Sequence, residues 1–205
     1  LKTPIAVIQG YSELVYDGIY QTEEERDHYI ESIYHETESI SKIITDVLDY
    51  SKMENGFFTI NKHLVHVLPW ANKLITTYDE FIRLHHLDFE YHLNSEDFTY
   101  EMDDLRMEQV VKNLLSNAVE HGEKVVKLSI QQLDKSLVIE VENDGKAIDE
   151  EDMPYIFESF YKKKGKTTGT GLGLAIVKQI VLLHNGDYRV VNTEKGVKFI
   201  VILHE

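Results

Sequence analysis

The stretch Thr168-Gly169-Thr170-Gly171-Leu172-Gly173-Leu174-Ala175-Ile176-Val177 alternates three glycines with a small hydroxyl residue and a leucine. An apolar run follows at once in Leu174, Ile176, Val177, Ile180 and Val181. This is the pattern of a glycine loop that opens a helix. Glycine lets the backbone pass close to a bulky anion because no Cβ intervenes. The first turn of a helix offers unpaired N–H groups and a positive dipole end, which suit a phosphate. The plain alternative is a hinge ahead of a core helix, and the motif alone does not choose between the two. Gly165-Lys166-Thr167 does not complete a P-loop, which needs a glycine five residues earlier, where Phe160 stands. Nor is this a dinucleotide fingerprint, which opens a βαβ unit directly after a strand; here Lys162-Lys163-Lys164 precede it.

A second candidate is Asn113-Leu114-Leu115-Ser116-Asn117-Ala118. Asn113 and Asn117 lie four apart and share one face of a helix, while Leu114, Leu115 and Ala118 turn toward a core. Asn is a poor helix-interior residue unless its amide has a task. Two stacked amide oxygens suit a hard cation such as Mg²⁺, which brings phosphates with it; a solvated face is the alternative. A third is Val141-Glu142-Asn143-Asp144-Gly145-Lys146-Ala147-Ile148, a strand ending in a glycine turn, where a side-chain oxygen can accept from an adenine amino group. In Ile156-Phe157-Glu158-Ser159-Phe160-Tyr161 the two Phe read as lid anchors and as core.

The elements that position these groups follow from periodicity. Leu1, Ile5, Ile8, Ser12, Val15 and Ile19 form a heptad seam over residues 1–18, and Gly18 suits a C-cap. Thr22 with Glu25 fits a capping box for a second helix running to Asn55. That helix carries Ile30, Ile33, Thr37, Ile40, Ile44, Val47 and Ser51 on one seam. A hairpin cannot bury both seams alone, so a homodimer through residues 1–55, closed as a four-helix bundle, is expected over packing on the C-terminal region. Asn55-Gly56 marks the boundary to a second domain, 56–205. There strands are expected at Phe58–Ile60, Phe89–Leu93, Val125–Gln131, Ser136–Glu142, Asp187–Val191 and Val197–Leu203. Helices are expected at Val67–Leu84, Asp103–Glu120, Glu150–Phe160 and Gly173–His184. The fold class is α+β: a helical hairpin followed by an α/β sandwich.

Bulk properties narrow the partners. The 205 residues carry 36 acids against 21 Lys and Arg, a net charge of −15, which argues against nucleic acid and against membrane contact by this segment. No cysteine is present, which excludes disulfides and thiolate sites. No apolar run reaches the roughly 18 residues of a membrane span. The chain begins with Leu1 inside a helical pattern and reads as cut from something longer. His63-x-x-His66 and His85-His86 lack an evident third ligand and read as surface histidines, as does His35.

Together the motifs resemble the transmitter region of two-component sensor histidine kinases. Asn113–Ala118 is similar to the asparagine box, Asn143–Ile148 to the first glycine box, Ile156–Tyr161 to the phenylalanine box and Gly169–Leu174 to the second glycine box. Gly196-Val197-Lys198-Phe199 resembles the closing strand, and Leu1-Lys2-Thr3-Pro4 the tail of the H box. The resemblance covers essentially the whole chain. It implies a dimerising phosphoacceptor hairpin and a Bergerat-type ATP-binding domain. Asn117 is expected on Mg²⁺, with Asn113 in support. Asn143 and Gly145 are expected at the adenine. Lys162, Gly169, Thr170, Gly171, Leu172 and Gly173 are expected around the triphosphate. Positioning and charge neutralisation carry such transfers. The expected product is a phosphohistidine that passes its phosphoryl group to an aspartate of a response regulator. The resemblance also implies a cytoplasmic segment of a protein anchored in the bacterial plasma membrane.

Four departures from the pattern stand out. The phosphoacceptor His is expected two residues before Leu1. Asn143 stands where Asp is usual, Ala147 replaces the second glycine, and Glu120 stands where Lys is common. Low ATP affinity is the expectation from the last three. Thr3 fits the position that orients water for dephosphorylating the regulator, and Glu108 is a candidate assistant near the acceptor. A Bergerat-fold ATPase of the chaperone or topoisomerase kind and a degenerate nucleotide-binding scaffold are the competing readings.

Overall fold

The computed structural model describes residues 2–162 and 170–204. It divides into two compact units, 1–51 and 52–205.

The first unit is a helical hairpin of α1 (Lys2–Tyr16) and most of α2 (Glu23–Glu54). α1 stops at Gly18, whose φ of 68° lets the Ile19 N–H reach the Leu14 carbonyl and the Gly18 N–H the Val15 carbonyl. Both bonds satisfy carbonyls that the helix end leaves open. Thr22 Oγ1 accepts from the Glu25 N–H at 3.2 Å, while the Glu25 carboxylate takes the Gln21 N–H. Tyr11 stacks on Tyr29 across the hairpin, ring centroids 5.1 Å apart. No residue between 3 and 51 is buried.

The second unit is a two-layer sandwich. Its five-stranded sheet contains β2 (Asp88–Leu93), β4 (Val125–Leu133), β5 (Ser136–Asn143), β6 (Asp187–Asn192) and β7 (Val197–Leu203), in the order β2-β4-β5-β7-β6. β2 runs parallel to β4 and the other pairs are antiparallel. Val126, Leu128, Ile130, Leu137, Ile139 and Val141 alternate onto one face and are fully buried. Three helices cover that face: α3 (Val67–Leu84), α4 (Asp104–His121) and α5 (Gly173–Leu183). The other face carries Glu90, Lys127, Glu142 and Lys198 directly opposite one another across four strands. Lys127 pairs with Glu90 at 2.7 Å and Lys198 with Glu142 at 3.4 Å. Among the described residues no helix is long and apolar enough to cross a membrane.

Two local expectations change. Residues 58–60 form no regular secondary structure; the strand there is β1 (His63–His66), paired with the equally short β3 (Thr99–Met102). Residues 150–160 form successive turns instead of a helix. Pro154 offers no N–H and disfavours a helical conformation at Met153, and Phe160 adopts a φ of 62° that ends the run.

Candidate functional site

α4 begins under the Asp103 carboxylate, which caps the Arg106 N–H at 3.1 Å. Its inner face, Met107, Val110, Val111, Leu114, Leu115 and Ala118, is completely buried. That fixes the rotation of the helix and turns Asn113 and Asn117 to its half-buried flank, one turn apart. The Asn113 Nδ2 donates to the Gly173 carbonyl at 3.1 Å. A carbonyl only accepts, so the amide is oriented, with its Oδ1 turned away from that bond. The Asn117 amide makes no hydrogen bond to a described residue.

Gly173 is the first residue of α5, so the asparagine helix and the glycine segment meet at this bond. The approach to α5 is tightly folded. The Phe160 N–H donates to the Gly171 carbonyl at 2.9 Å. Gly171 has a φ of 72°, and a Cβ there would lie 2.9 Å from the Phe160 carbonyl carbon. Thr170 Oγ1 accepts from the Leu172 N–H at 3.1 Å, and Leu172 is fully buried. No side chain caps α5. The N–H groups of Gly173, Leu174 and Ala175 have no acceptor among the described residues, which leaves a cluster of donors at a positive helix end.

At the other end of α4, the turn after β5 presses against the helix terminus. A Cβ on Gly145 would overlap the His121 carbonyl oxygen at 1.8 Å, so only glycine fits. Asn143 is 2% exposed, and its Oδ1 accepts from the Gly145 N–H at 3.0 Å. An N–H demands oxygen as partner, so the other end of that amide is Nδ2, a donor. Asp144 Oδ1 gathers the N–H groups of Glu123, Lys124 and Val125 within 2.9 to 3.1 Å. Desolvation pushes the Asp144 carboxyl upward, but these donors outweigh it and hold the pKa below the usual carboxylate value.

α4 therefore spans the site, with Asn113 at Gly173 and His121 at Gly145. The eight residues between them cover about 12 Å. Phe157 lies under the turns that follow, against Tyr188 at 4.7 Å and Phe199 at 6.1 Å. It is 8% exposed, whereas Phe160 is 62% exposed. The Tyr161 hydroxyl donates to Asp152 at 2.6 Å, which pushes its pKa up to about 12.

Other expected residues have surroundings of their own. Glu108 sits on α4 about 140° around the helix from Asn113 and pairs with Lys73 at 3.5 Å. Thr3 is exposed in the first turn of α1 and Lys162 is exposed after Tyr161. Gly169 lies outside the described residues. His63 and His66 each face their own acid, Asp104 at 3.6 Å and Asp97 at 2.6 Å.

Residues 102–205 match the family profile described as histidine kinase-, DNA gyrase B- and HSP90-like ATPase, and residues 1–56 match the His Kinase A (phospho-acceptor) domain. The chain belongs to the sensor histidine kinases. Among these kinases, WalK of Bacillus subtilis is 27% identical over 91% of this chain and 32% of its own length. The chain thus spans about a third of the length of the curated relatives it matches. The solved structure of histidine kinase ThkA in complex with response regulator TrrA is 26% identical. It covers 98% of this chain and 57% of that one, with a TM-score of 0.77. Acinetobacter baumannii histidine kinase AdeS, at 24% identity, shares the fold over 99% of this chain and 95% of that one, with a TM-score of 0.81.

Sequence reasoning missed two groups in this histidine kinase chain. Asp144 was passed over beside Asn143, although an Asp just after a strand is a ready acceptor for neighbouring N–H groups. The second is His184, buried at the end of α5 with its Nε2 on the Asp103 N–H. Its signal is His-Asn-Gly closing an otherwise apolar helix.

Proposed function

We infer that this chain is the transmitter core of a sensor histidine kinase: it binds MgATP and supports autophosphorylation of a histidine on the hairpin and phosphotransfer to a response regulator. The observation that carries this is the Asn113–Gly173 bond, which puts the asparagine pair beside the open first turn of α5.

The donor set fits such a ligand. Asn113 and Asn117 offer neutral amide oxygens, the ligand type a hard cation accepts. The α5 N–H groups and Thr170 offer donors to phosphate oxygens. ATP supplies the phosphoryl group, and Mg²⁺ neutralises charge on the phosphates. Asn117 holds the ion, and Asn113 steadies its shell. Gly169, Gly171, Leu172 and Gly173 wrap the phosphates, and Lys162 adds positive charge to an otherwise acidic chain. Asn143 and Gly145, at the far end of α4, receive the base. Thr3 orients water in a regulator phosphatase step, and Glu108 assists near the acceptor. Residues 1–55 form the dimerising phosphotransfer hairpin, a role its unburied apolar seam supports, and 56–205 form the catalytic domain. Transfer to a receiver domain is supported by the ThkA relative, whose structure is a complex with a response regulator.

The test combines two measurements. Titration of the chain with MgATP gives saturable binding, and Asn117→Ala weakens it by about tenfold or more. A version extended upstream of Leu1 through the H box, given labelled ATP, yields an acid-labile phosphate. Steady ATP hydrolysis with no phosphohistidine overturns the kinase reading, and no binding at millimolar MgATP overturns the nucleotide reading.

A further inference from the structure

α4 and α5 lie antiparallel and are joined by one hydrogen bond at each end of α5. At one end the Asn113 amide donates to the Gly173 carbonyl, and at the other the Asp103 N–H donates to His184 Nε2 at 3.1 Å. Ten residue steps (103 to 113) along α4 with its cap and eleven (173 to 184) along α5 with its cap separate those bonds, about 15 Å and about 16 Å of helix. Between them lie fully buried apolar side chains, including Met107, Val110, Ile176 and Ile180. Close packing holds the two helices together, and the two polar bonds add directional ties at fixed points along the pair.

The imidazole is 2% exposed, and both its nitrogens are assigned by their partners. Nδ1 lies 2.8 Å from the Ile180 carbonyl, which only accepts, so Nδ1 carries the proton. Nε2 faces the Asp103 N–H, which only donates, so Nε2 carries a lone pair. The ring is therefore neutral. Burial holds its pKa below the ordinary histidine value; the Ile180 bond and the Asp103 carboxylate oppose this, and Lys62 reinforces it. Lys62 Nζ donates to the His184 carbonyl at 3.2 Å. The Asp103 carboxylate is held by the N–H groups of Asn61 and Arg106. The His63–Asp104 pair sits beside them at 3.6 Å.

We propose that His184 is a positioning residue for the nucleotide site: as a neutral ring it fixes α5 along α4 and so keeps Gly173 on Asn113, whereas as a cation it loses that hold. A protonated Nε2 meets the Asp103 N–H donor to donor, the end bond breaks and the register relaxes. The sign follows from the depressed pKa. The positioning is complete above the ordinary histidine pKa and is lost as pH falls through the lower folded value. The register is defined without nucleotide; its consequence for ATP rests on the function inferred above.

The experiment uses the whole chain, its His184→Leu variant, which removes the acceptor, and His184→Gln, which keeps one acceptor and one donor. The Asn113 side-chain NH₂ resonance reports the register without nucleotide, and MgATP affinity is measured from about pH 8 down to the lowest pH at which the chain stays folded. Circular dichroism confirms folding. At the higher pH, His184→Leu shifts the Asn113 signal and weakens MgATP about tenfold. His184→Gln restores both and removes the excess acid sensitivity of the wild type. An unmoved Asn113 signal with wild-type affinity in His184→Leu overturns the proposal, as does an acid response in His184→Gln equal to that of the wild type. Should His184→Leu fail to fold, the wild type against His184→Gln decides. Absence of MgATP binding by the wild type at the higher pH would instead remove the nucleotide reading, and the Asn113 signal would still decide the register.

Discussion

Between residues 3 and 51 two helices bury nothing, and Ile5, Ile30, Ile44 and Leu48 remain 45, 48, 50 and 54% exposed. In the sandwich, α4 alone hides six side chains completely. Both regions carry regular apolar patterns, and the difference lies in what each pattern is written for. The sheet and its three helices close their core within one chain. The hairpin has a seam of the same regularity that a single chain does not cover, which supports the proposed pairing with a second copy.

The largest effect tests that contrast directly. Ile44→Asp combined with Val47→Asp converts the dimer to a monomer in light scattering, a loss of about 4 kcal/mol or more, while the sandwich melts as before. A wild type that is monomeric at high micromolar concentration breaks the comparison. Next comes Gly145→Ala, which forces a Cβ into the His121 carbonyl. It costs about 3 kcal/mol in chemical denaturation, because the contact is backbone and the core behind it is full. Asn143→Asp is smaller. Its second oxygen replaces a donor with an acceptor where a 6-amino purine brings a donor, so ATP tightens about fivefold, or about 1 kcal/mol, in titration. The smallest is Gly10→Ala in α1. A Cβ there meets nothing within 4 Å, so the hairpin gains about 0.5 to 1 kcal/mol from helix propensity. No gain would mean that a neighbouring chain approaches Gly10 closely, which sharpens the picture of the dimer.

Long periodic elements were legible in the sequence. α3, α4, α5, the β4–β5 hairpin and the pair β6–β7 fall within a residue or two of expectation, because each couples a strict period to a recognisable end. Asp103 and Gly18 act where a cap was needed. Short elements were not legible. β1 and β3 have four residues each and exist through pairing with one another, a long-range fact absent from local pattern. Residues 150–160 looked helical by apolar spacing, and Pro154 overrode it. In the site, the family resemblance implied that the asparagine pair and the glycine segment face one nucleotide, but the Asn113–Gly173 bond itself was not expected. The use of Asn143 Oδ1 by its own turn was not expected either, since it depends on which end of an amide faces a neighbouring N–H. His184 escaped notice because a terminal histidine reads as surface until its helix is docked.

Asn113 commits its Nδ2 to the Gly173 carbonyl, and its side-chain torsions are fixed by that bond. Under the proposed function, a water in the shell of the ion on Asn117 would meet the remaining oxygen and freeze no further rotor. The speed of loading would then be governed by how readily the ion sheds its own hydration shell. Magnesium, reluctant to dehydrate, would load more slowly than calcium, and the Asn113 side chain would contribute no delay of its own.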